Sequence, residues 1–504
     1  MLSLSLLVGY AVADVYDLVP GVLTRDRPTP AAPATTPTAP GATQTPATLA
    51  PLPTPTAGTG LLAALPDSAP VPTTAGLATA LEAALAAPAL GGDVGVSIRD
   101  ARTGALLYAA GADQPRVVAS TAKILAAAAI ATTFDLNRTM TTRVVQSGDR
   151  ELTLVAGGDT LLARDQGDPD SAAGHAGLGD LADQVVAALK AAPSGSGSSS
   201  GSWGGGGGAG GGGSGSASRA TGPPGWSLRL DETYDAGAAM PPGWNPADVA
   251  AGYTQGVHMI GLAAQRPKPG EPSPADPGGA VLATLADRLG ERGLTVTIED
   301  SGAGRHTASP AGARVLGEVT SAPYREVLAT ALDESDNALT ENLVRQAAMA
   351  AGGDGTFAHN AVYVTATLDG LGFDLSGTHL LDTSGLTYGQ TATVRLLSDV
   401  VAAARAGRLP GLADVLAKLP VAGLDGTLHD RFLDKPASSA AGIARAKTGT
   451  LTGASALLGT TVDADNRELD FVLVADKVPA ASGTWAARAA LDRIVADLTG
   501  CGCR

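Results

Sequence analysis

Ser120 and Lys123 stand three positions apart in "VASTAKILAAAAI" (118–130), at the head of an almost wholly apolar run. A serine hydroxyl is a poor nucleophile near neutral pH and needs a base within hydrogen-bond reach. A lysine three residues later on a helix shares the serine's face. It can serve as that base once an apolar surround and a second cation have lowered its pKa. Two further sets follow in order, Ser335-Asp336-Asn337 and Lys447-Thr448-Gly449-Thr450. Each is a weak signal alone, but the chain has only seven lysines and two of them fall in these sets. Lys447 is the candidate second cation and, with Thr448, a binder of carboxylate. The backbone N–H of Ser120 at a helix start and that of Thr450 on a sheet edge are candidate oxyanion donors, each worth about 3 kcal/mol of barrier. Gly449 would let substrate approach the strand. Ser335 and Asn337 would relay the leaving-group proton and hold a substrate amide. The plain alternatives are a helix cap with a solvated lysine, a polar helix turn and a charged strand edge.

The elements that must bring these sets together are readable. "VGVSIRDARTGALLYAAG" reads as strand, turn, strand, a hairpin. "VVASTAKILAAAAIATTF" is apolar on every face, which predicts a buried core helix. Helical patterning returns in "YREVLATALDESDNALTENLVRQAAMAA". The chain closes with three strands in "ARAKTGTLTGASALLGTTVDADNRELDFVLVAD" and an amphipathic helix in "TWAARAALDRIVADL". The fold class is α/β in the α+β sense: an antiparallel sheet flanked by helices, its first hairpin pairing with its last strands, interrupted by inserted domains. The partition is an apolar signal or anchor segment 1–25, a Pro/Thr-rich linker 26–72, the main domain in two parts (73–136 and 311–500), an insertion 137–310 with a flexible Gly/Ser stretch 194–220, and a tail 501–504. Gly197–Gly201 matches a G-x-S-x-G nucleophile elbow by letter. It lies in low-complexity sequence with no strand before it and no helix after, so the match carries nothing.

The net charge of −15 excludes a nucleic-acid partner and gives no support to electrostatic docking on anionic lipid. The six histidines are scattered, and Cys501 and Cys503 are too close for an ordinary disulfide and have no further ligands nearby. They read as a frayed tail, and no metal or cofactor is expected. Leu2–Val15 has the length of a signal-peptide core and falls short of the ~20 residues of a membrane span. No Lys or Arg precedes it, yet export remains the favoured reading, with the Pro-rich tract as a spacer from a membrane tether.

The three motifs resemble the signature of penicillin-binding proteins and class A β-lactamases. "LVAGGDTLL" (154–162), "LLDTSGLT" (380–387), "LPVAGLDGTLHDRF" (419–432) and the long gap between the first two motifs narrow the resemblance to the D-alanyl-D-alanine carboxypeptidase/endopeptidase family, the class C low-molecular-mass penicillin-binding proteins. That resemblance implies a transpeptidase-like domain outside the cytoplasm, secreted or anchored at the cell wall. It also implies an acyl-enzyme on Ser120 formed from peptidoglycan muropeptides, with β-lactam antibiotics as inhibitors. Tyr388 stands where the family has an Arg holding the free end of a diaminopimelate side chain, and Asp248 of "PPGWNPAD" aligns with an Asp that binds that side chain's amine. His429 and Arg431 read as structural. Two other readings stay open: a serine β-lactamase or esterase of the same architecture, and a non-catalytic wall-binding module.

Overall fold

The computed structural model describes residues 65–66, 68–191, 225–234, 237–299, 305 and 307–504. The opening apolar segment, most of the Pro/Thr-rich tract and the Gly/Ser stretch lie outside the described residues. The main chain runs α1 (Thr74–Leu85), β1 (Val94–Asp100), β2 (Leu106–Ala110) and α2 (Lys123–Thr133). An inserted segment follows, with β3 (Thr141–Gly148), β4 (Glu151–Val155), α3 (Leu178–Ala191), β5 (Trp226–Asp231), α4 (Pro277–Glu291), β6 (Val296–Ile298) and β7 (Arg314–Thr320). The chain then returns through α5 (Tyr324–Asp333), α6 (Asn337–Ala350), α7 (Phe357–Gly370) and α8 (Val394–Arg405). It ends in β8 (Arg445–Leu451), β9 (Ala454–Val462), β10 (Glu468–Ala475) and α9 (Gly483–Thr499).

The first hairpin and the last three strands form one antiparallel sheet in the order β8-β9-β10-β1-β2. β10, "ELDFVLVA", shows why its run from Phe471 to Ala475 is apolar at every position. Leu469, Phe471, Leu473 and Ala475 face one core, shared with α1 and α9, while Val472 and Val474 face the other, shared with α2 and α5–α8. A strand covered on both faces has no solvent side to mark by alternation. The inserted strands form their own sheet, β6-β5-β4-β3-β7, with a separate apolar core against α3 and α4.

α2 is the middle of the larger core. Residues Lys123 to Ala131 are all buried, and those from Ile124 to Ile130 have no exposed surface. Its alanines let neighbouring helices and β9 approach from every side, so the helix is apolar all round because it has no outer face.

The tail is not frayed. Cys501 and Cys503 are buried, their sulfurs abut with Cα atoms 5.1 Å apart, and the Cys503 carbonyl accepts from Thr73 N–H at 2.7 Å. Thr73 is the N-cap of α1, so the C-terminal residues complete the start of the first helix.

A small residue in this setting cannot be enlarged without strain. Ala127→Leu is expected to lower stability by about 1–3 kcal/mol. A lowered urea midpoint with unchanged m-value would register it.

Candidate active site

Ser120 is held by what precedes it. Arg116, 1% exposed, donates to Asp93 Oδ1 at 2.5 Å and Asp476 Oδ1 at 3.0 Å, beyond one end of each of the paired strands β1 and β10. The Val117 N–H adds a bond to Asp476 Oδ2 at 3.2 Å. From this anchor a 3-10 turn, Ala119–Ala122, leads into α2. Ser120 therefore sits in a tighter turn just ahead of the α-helix, and Lys123 is the first α-helical residue. Ala119 has φ +47°, a left-handed conformation that is costly for a residue with a Cβ. Gly385, at φ +85°, backs against it so closely that a Cβ there would overlap the Ala119 carbonyl. At Gly449 a Cβ would lie 2.8 Å from the Val118 carbonyl oxygen. That glycine admits the segment bearing Ser120 to β8, a packing role besides the substrate approach expected from the sequence.

The second motif is a corner between two helices. The Asp336 N–H donates to Ala331 O at 2.9 Å and the Ser335 N–H to Leu332 O at 3.3 Å, a Schellman closure of α5. Glycine is the usual residue at that left-handed position, and here it is Ser335 at φ +56°. Asp336 caps α6, accepting from Leu339 N–H at 2.8 Å, and accepts from Arg266 Nε at 2.9 Å. Asn337 is thereby placed on the first turn of α6, and its Oδ1 lies 2.6 Å from Lys123 Nζ. Among the described residues, the Ser335 hydroxyl has no hydrogen-bond partner.

Lys123 Nζ has no exposed surface and three oxygen neighbours: Ser120 Oγ at 3.0 Å, Asn337 Oδ1 at 2.6 Å and the Ser384 carbonyl at 2.7 Å. Burial lowers its pKa from the ordinary lysine value to about 8, although Asp382, Asp336 and Glu341 pull the other way. Lys447, on β8, is equally buried and donates to the Thr448 carbonyl at 2.8 Å. Burial and repulsion from Lys123 hold it well below the ordinary value, with Asp333 opposing and Arg431 adding. The sequence suggests Lys447 as the agent that depresses Lys123. In the structure desolvation is the leading cause. β8 is an edge strand of its sheet; at its start the outer side meets the Val421 segment, with the Ala446 N–H donating to the Pro420 carbonyl at 3.0 Å. Thr450 on it is exposed, and the Thr448 hydroxyl lies 3.1 Å from that of Thr427.

Among the described residues, Asp248 is the candidate that no contact ties to Ser120 or Lys123. It lies half-buried on a short helix, Pro246–Ala250, and burial raises its carboxyl pKa. The segment that carries it is nevertheless fixed to the site loop. Trp244 Nε1 donates to Asp382 Oδ2 at 2.9 Å, and Gly243 packs on Thr387. Arg431 is structural as expected, buried and paired with Asp492 of α9, and His429 is exposed. Tyr388, 57% exposed, bridges to the Thr452 N–H at 3.3 Å.

Sequence reasoning missed three contributors. The Ser384 carbonyl is a backbone group and leaves no mark in side-chain spacing. Asp382 organises its own loop, accepting from the N–H groups of Gly385 and Thr387 at 2.7 Å each and from Gln390 at 2.9 Å. Burial alone would raise its carboxyl, but these bonds and that from Trp244 hold it below the usual range. Glu341, four residues after Asn337, is the third. It stands among polar residues, Asn337, Thr340, Asn342 and Arg345, so no contrast in the sequence marks it.

The family model of the D-Ala-D-Ala carboxypeptidase 3 (S13) family matches residues 77–192 and 261–498. The chain belongs to that family. Carboxypeptidase DacB of Mycolicibacterium smegmatis is 36% identical over 446 residues, 86% of each chain. A D-alanyl-D-alanine carboxypeptidase of an Actinomadura species is 37% identical over 201 residues, 38% of this chain and 36% of its own. The crystal structure of penicillin-binding protein 4 (dacB) from Haemophilus influenzae aligns with a TM-score of 0.58 over 81% of this chain and 95% of that one, at 17% identity, and shows the shared fold. The protein is a serine-type D-Ala-D-Ala carboxypeptidase of peptidoglycan. Trp244 and Asp248 both fall in the gap between the two matched ranges.

With Lys123 neutral only above its lowered pKa, activity that needs a free amine rises with pH. The acylation rate is expected to climb along a limb centred at about 8. A limb at the ordinary lysine value in stopped-flow kinetics would contradict this.

Proposed function

We propose that Ser120 is the nucleophile and Lys123 its general base, in a D-Ala-D-Ala carboxypeptidase that also cuts cross-links as an endopeptidase. The observation that carries the reading is the set of three oxygens around Lys123 Nζ. A neutral amine has two hydrogens and one lone pair. With the hydrogens donated to Asn337 Oδ1 and the Ser384 carbonyl, the lone pair faces Ser120 Oγ–H.

Ser120 Oγ then bonds to the penultimate D-Ala carbonyl carbon as its proton passes to Lys123. The oxyanion is received by the backbone N–H groups of Ser120 and Thr450. The C–N bond breaks, and D-Ala leaves with a proton delivered through Ser335. Water hydrolyses the ester in the reverse sense. Lys447 and the Thr448 hydroxyl hold the terminal carboxylate, which supplies the counter-charge that buried Lys447 otherwise lacks. Gly449 keeps the turn bearing Ser120 close to β8, and Asn337 also holds the substrate amide.

β-Lactams acylate Ser120 by the same route. Support comes from the family and from the Haemophilus influenzae fold relative, whose structure is also known in complex with a β-lactam. Asp248 is proposed to receive a cationic group of the stem-peptide side chain, and residues 137–310 to form a domain of their own. The apolar opening segment and the cell-wall substrate class support an exported enzyme, secreted or tethered at the wall; among the described residues no helix is long and apolar enough to cross a membrane.

Mass spectrometry after incubation with benzylpenicillin is expected to show a stable adduct on wild type and none on Ser120→Ala. Lys123→Ala is expected to slow acylation by about 10²–10⁴-fold. An adduct on Ser120→Ala would overturn the assignment, and rapid β-lactam turnover would move it to a β-lactamase.

A further inference from the structure

Glu341 has no exposed surface, and its carboxyl enters a different hydrogen-bond shell from that of the reacting atoms. Its Oε1 accepts from the N–H groups of Thr383 at 2.6 Å and Ser384 at 2.8 Å. The same Ser384 presents its carbonyl to Lys123 Nζ at 2.7 Å. α6 therefore acts on the base twice. Asn337 in its first turn touches the amine directly. Glu341, one turn later on the same face, grips the peptide units on the N-terminal side of that carbonyl.

We propose that Glu341 is a positioning residue for the general base, holding the Ser384 carbonyl where it fixes one of the two hydrogens of neutral Lys123 and so aims the lone pair at Ser120. This rests on Lys123 being the base. The grip is made by Oε1 alone. Oε2 is buried without a hydrogen-bond partner, which is an expensive place for a full charge and a tolerable one for a neutral acid. Burial, with Asp382 nearby, accordingly raises the Glu341 pKa to about 8, so that near neutral pH it holds the loop as a carboxylic acid and adds little field at Lys123. Once ionised it favours the lysine cation.

Several other charged groups act on the pair. Asp382 lies on the gripped loop, and Asp336, paired with Arg266, is at the N-cap of α6. Lys447, on β8, repels Lys123. Glu341 and Lys123 interact, so the rising limb of the rate profile belongs to both.

Two substitutions separate geometry from charge. Glu341→Gln keeps an acceptor oxygen for the two N–H groups and removes the ionisable proton. It is expected to retain the plateau acylation rate within about threefold while the limb moves to lower pH, since the carboxylate that favours the lysine cation is gone. Glu341→Ala frees the loop and is expected to lower the plateau acylation rate by about 10- to 100-fold, with the concentration dependence of β-lactam binding unchanged. Circular dichroism and thermal melting confirm that each variant is folded before its rates are read. Should Gln and Ala variants share the wild-type limb and plateau, or differ from wild type only in melting temperature, the inference fails. Ser120→Ala and Lys123→Ala are run alongside. If they are inactive while the Glu341 variants are unaltered, only the positioning role is lost. If either still acylates at the wild-type rate, the reading of the site itself fails.

Discussion

A primary amine with no contact with water is stable only where every hydrogen has an acceptor, and it is useful only if its lone pair points somewhere. Lys123 meets both conditions through two fixed oxygens and a serine. Most of the surrounding structure follows from that requirement. The alanine-rich α2 brings apolar surface close enough to strip solvent from the ammonium, lowering its proton affinity. Asn337 is delivered by a helix start and the Ser384 carbonyl by a loop. Each is held by carboxylates that do not touch the amine: Asp336 through its cap and Arg266, Asp382 and Glu341 through the loop N–H groups. Asp382 and Asp336 partly restore the lysine's proton affinity, and Glu341 joins them once ionised, so Lys123 sits between two opposing influences.

The backbone around the site is bent in ways that side-chain packing alone would not select. Ala119 and Ser335 both occupy left-handed conformations, and each is adjacent to or part of a motif. In Ser335 the compensation is visible, because two backbone hydrogen bonds close α5 around it. For Ala119 the compensation lies in the contacts with Gly385 and Gly449, whose missing side chains leave room for the turn. Strain of about 1–3 kcal/mol per such residue persists only where the surroundings over-determine the conformation.

Much of this architecture is legible in the order of residues alone. The uniform apolarity of 124–131 announces a helix without an outer face, and the runs at 454–462 and 468–475 read as strands, whose coverage on both sides is seen only in the structure. The three motifs specify types, order and approximate element ends because catalysis needs particular side chains, and side chains are what a sequence records. Contacts made by backbone or across long separations are hidden. Nothing near Ser384 marks its carbonyl as an acceptor, and Trp244 lies 138 residues from Asp382. Cys501 and Cys503 mislead for a related reason. Their spacing argues against an ordered end, whereas order there comes from a cap on a helix more than 400 residues away.

The tie between Trp244 and Asp382 also bears on what an inserted segment does in such a fold. A surface excursion could hang from the main domain by its ends alone. This one sends an indole N–H into the loop whose carbonyl faces Lys123. Asp382 is buried, and its charge survives there because donors surround it, one of which comes from the insertion. The insertion is thereby part of the electrostatics of Lys123, since Asp382 is the strongest influence opposing the loss of its proton. A change that re-aims the Trp244 segment therefore reaches Lys123 through Asp382.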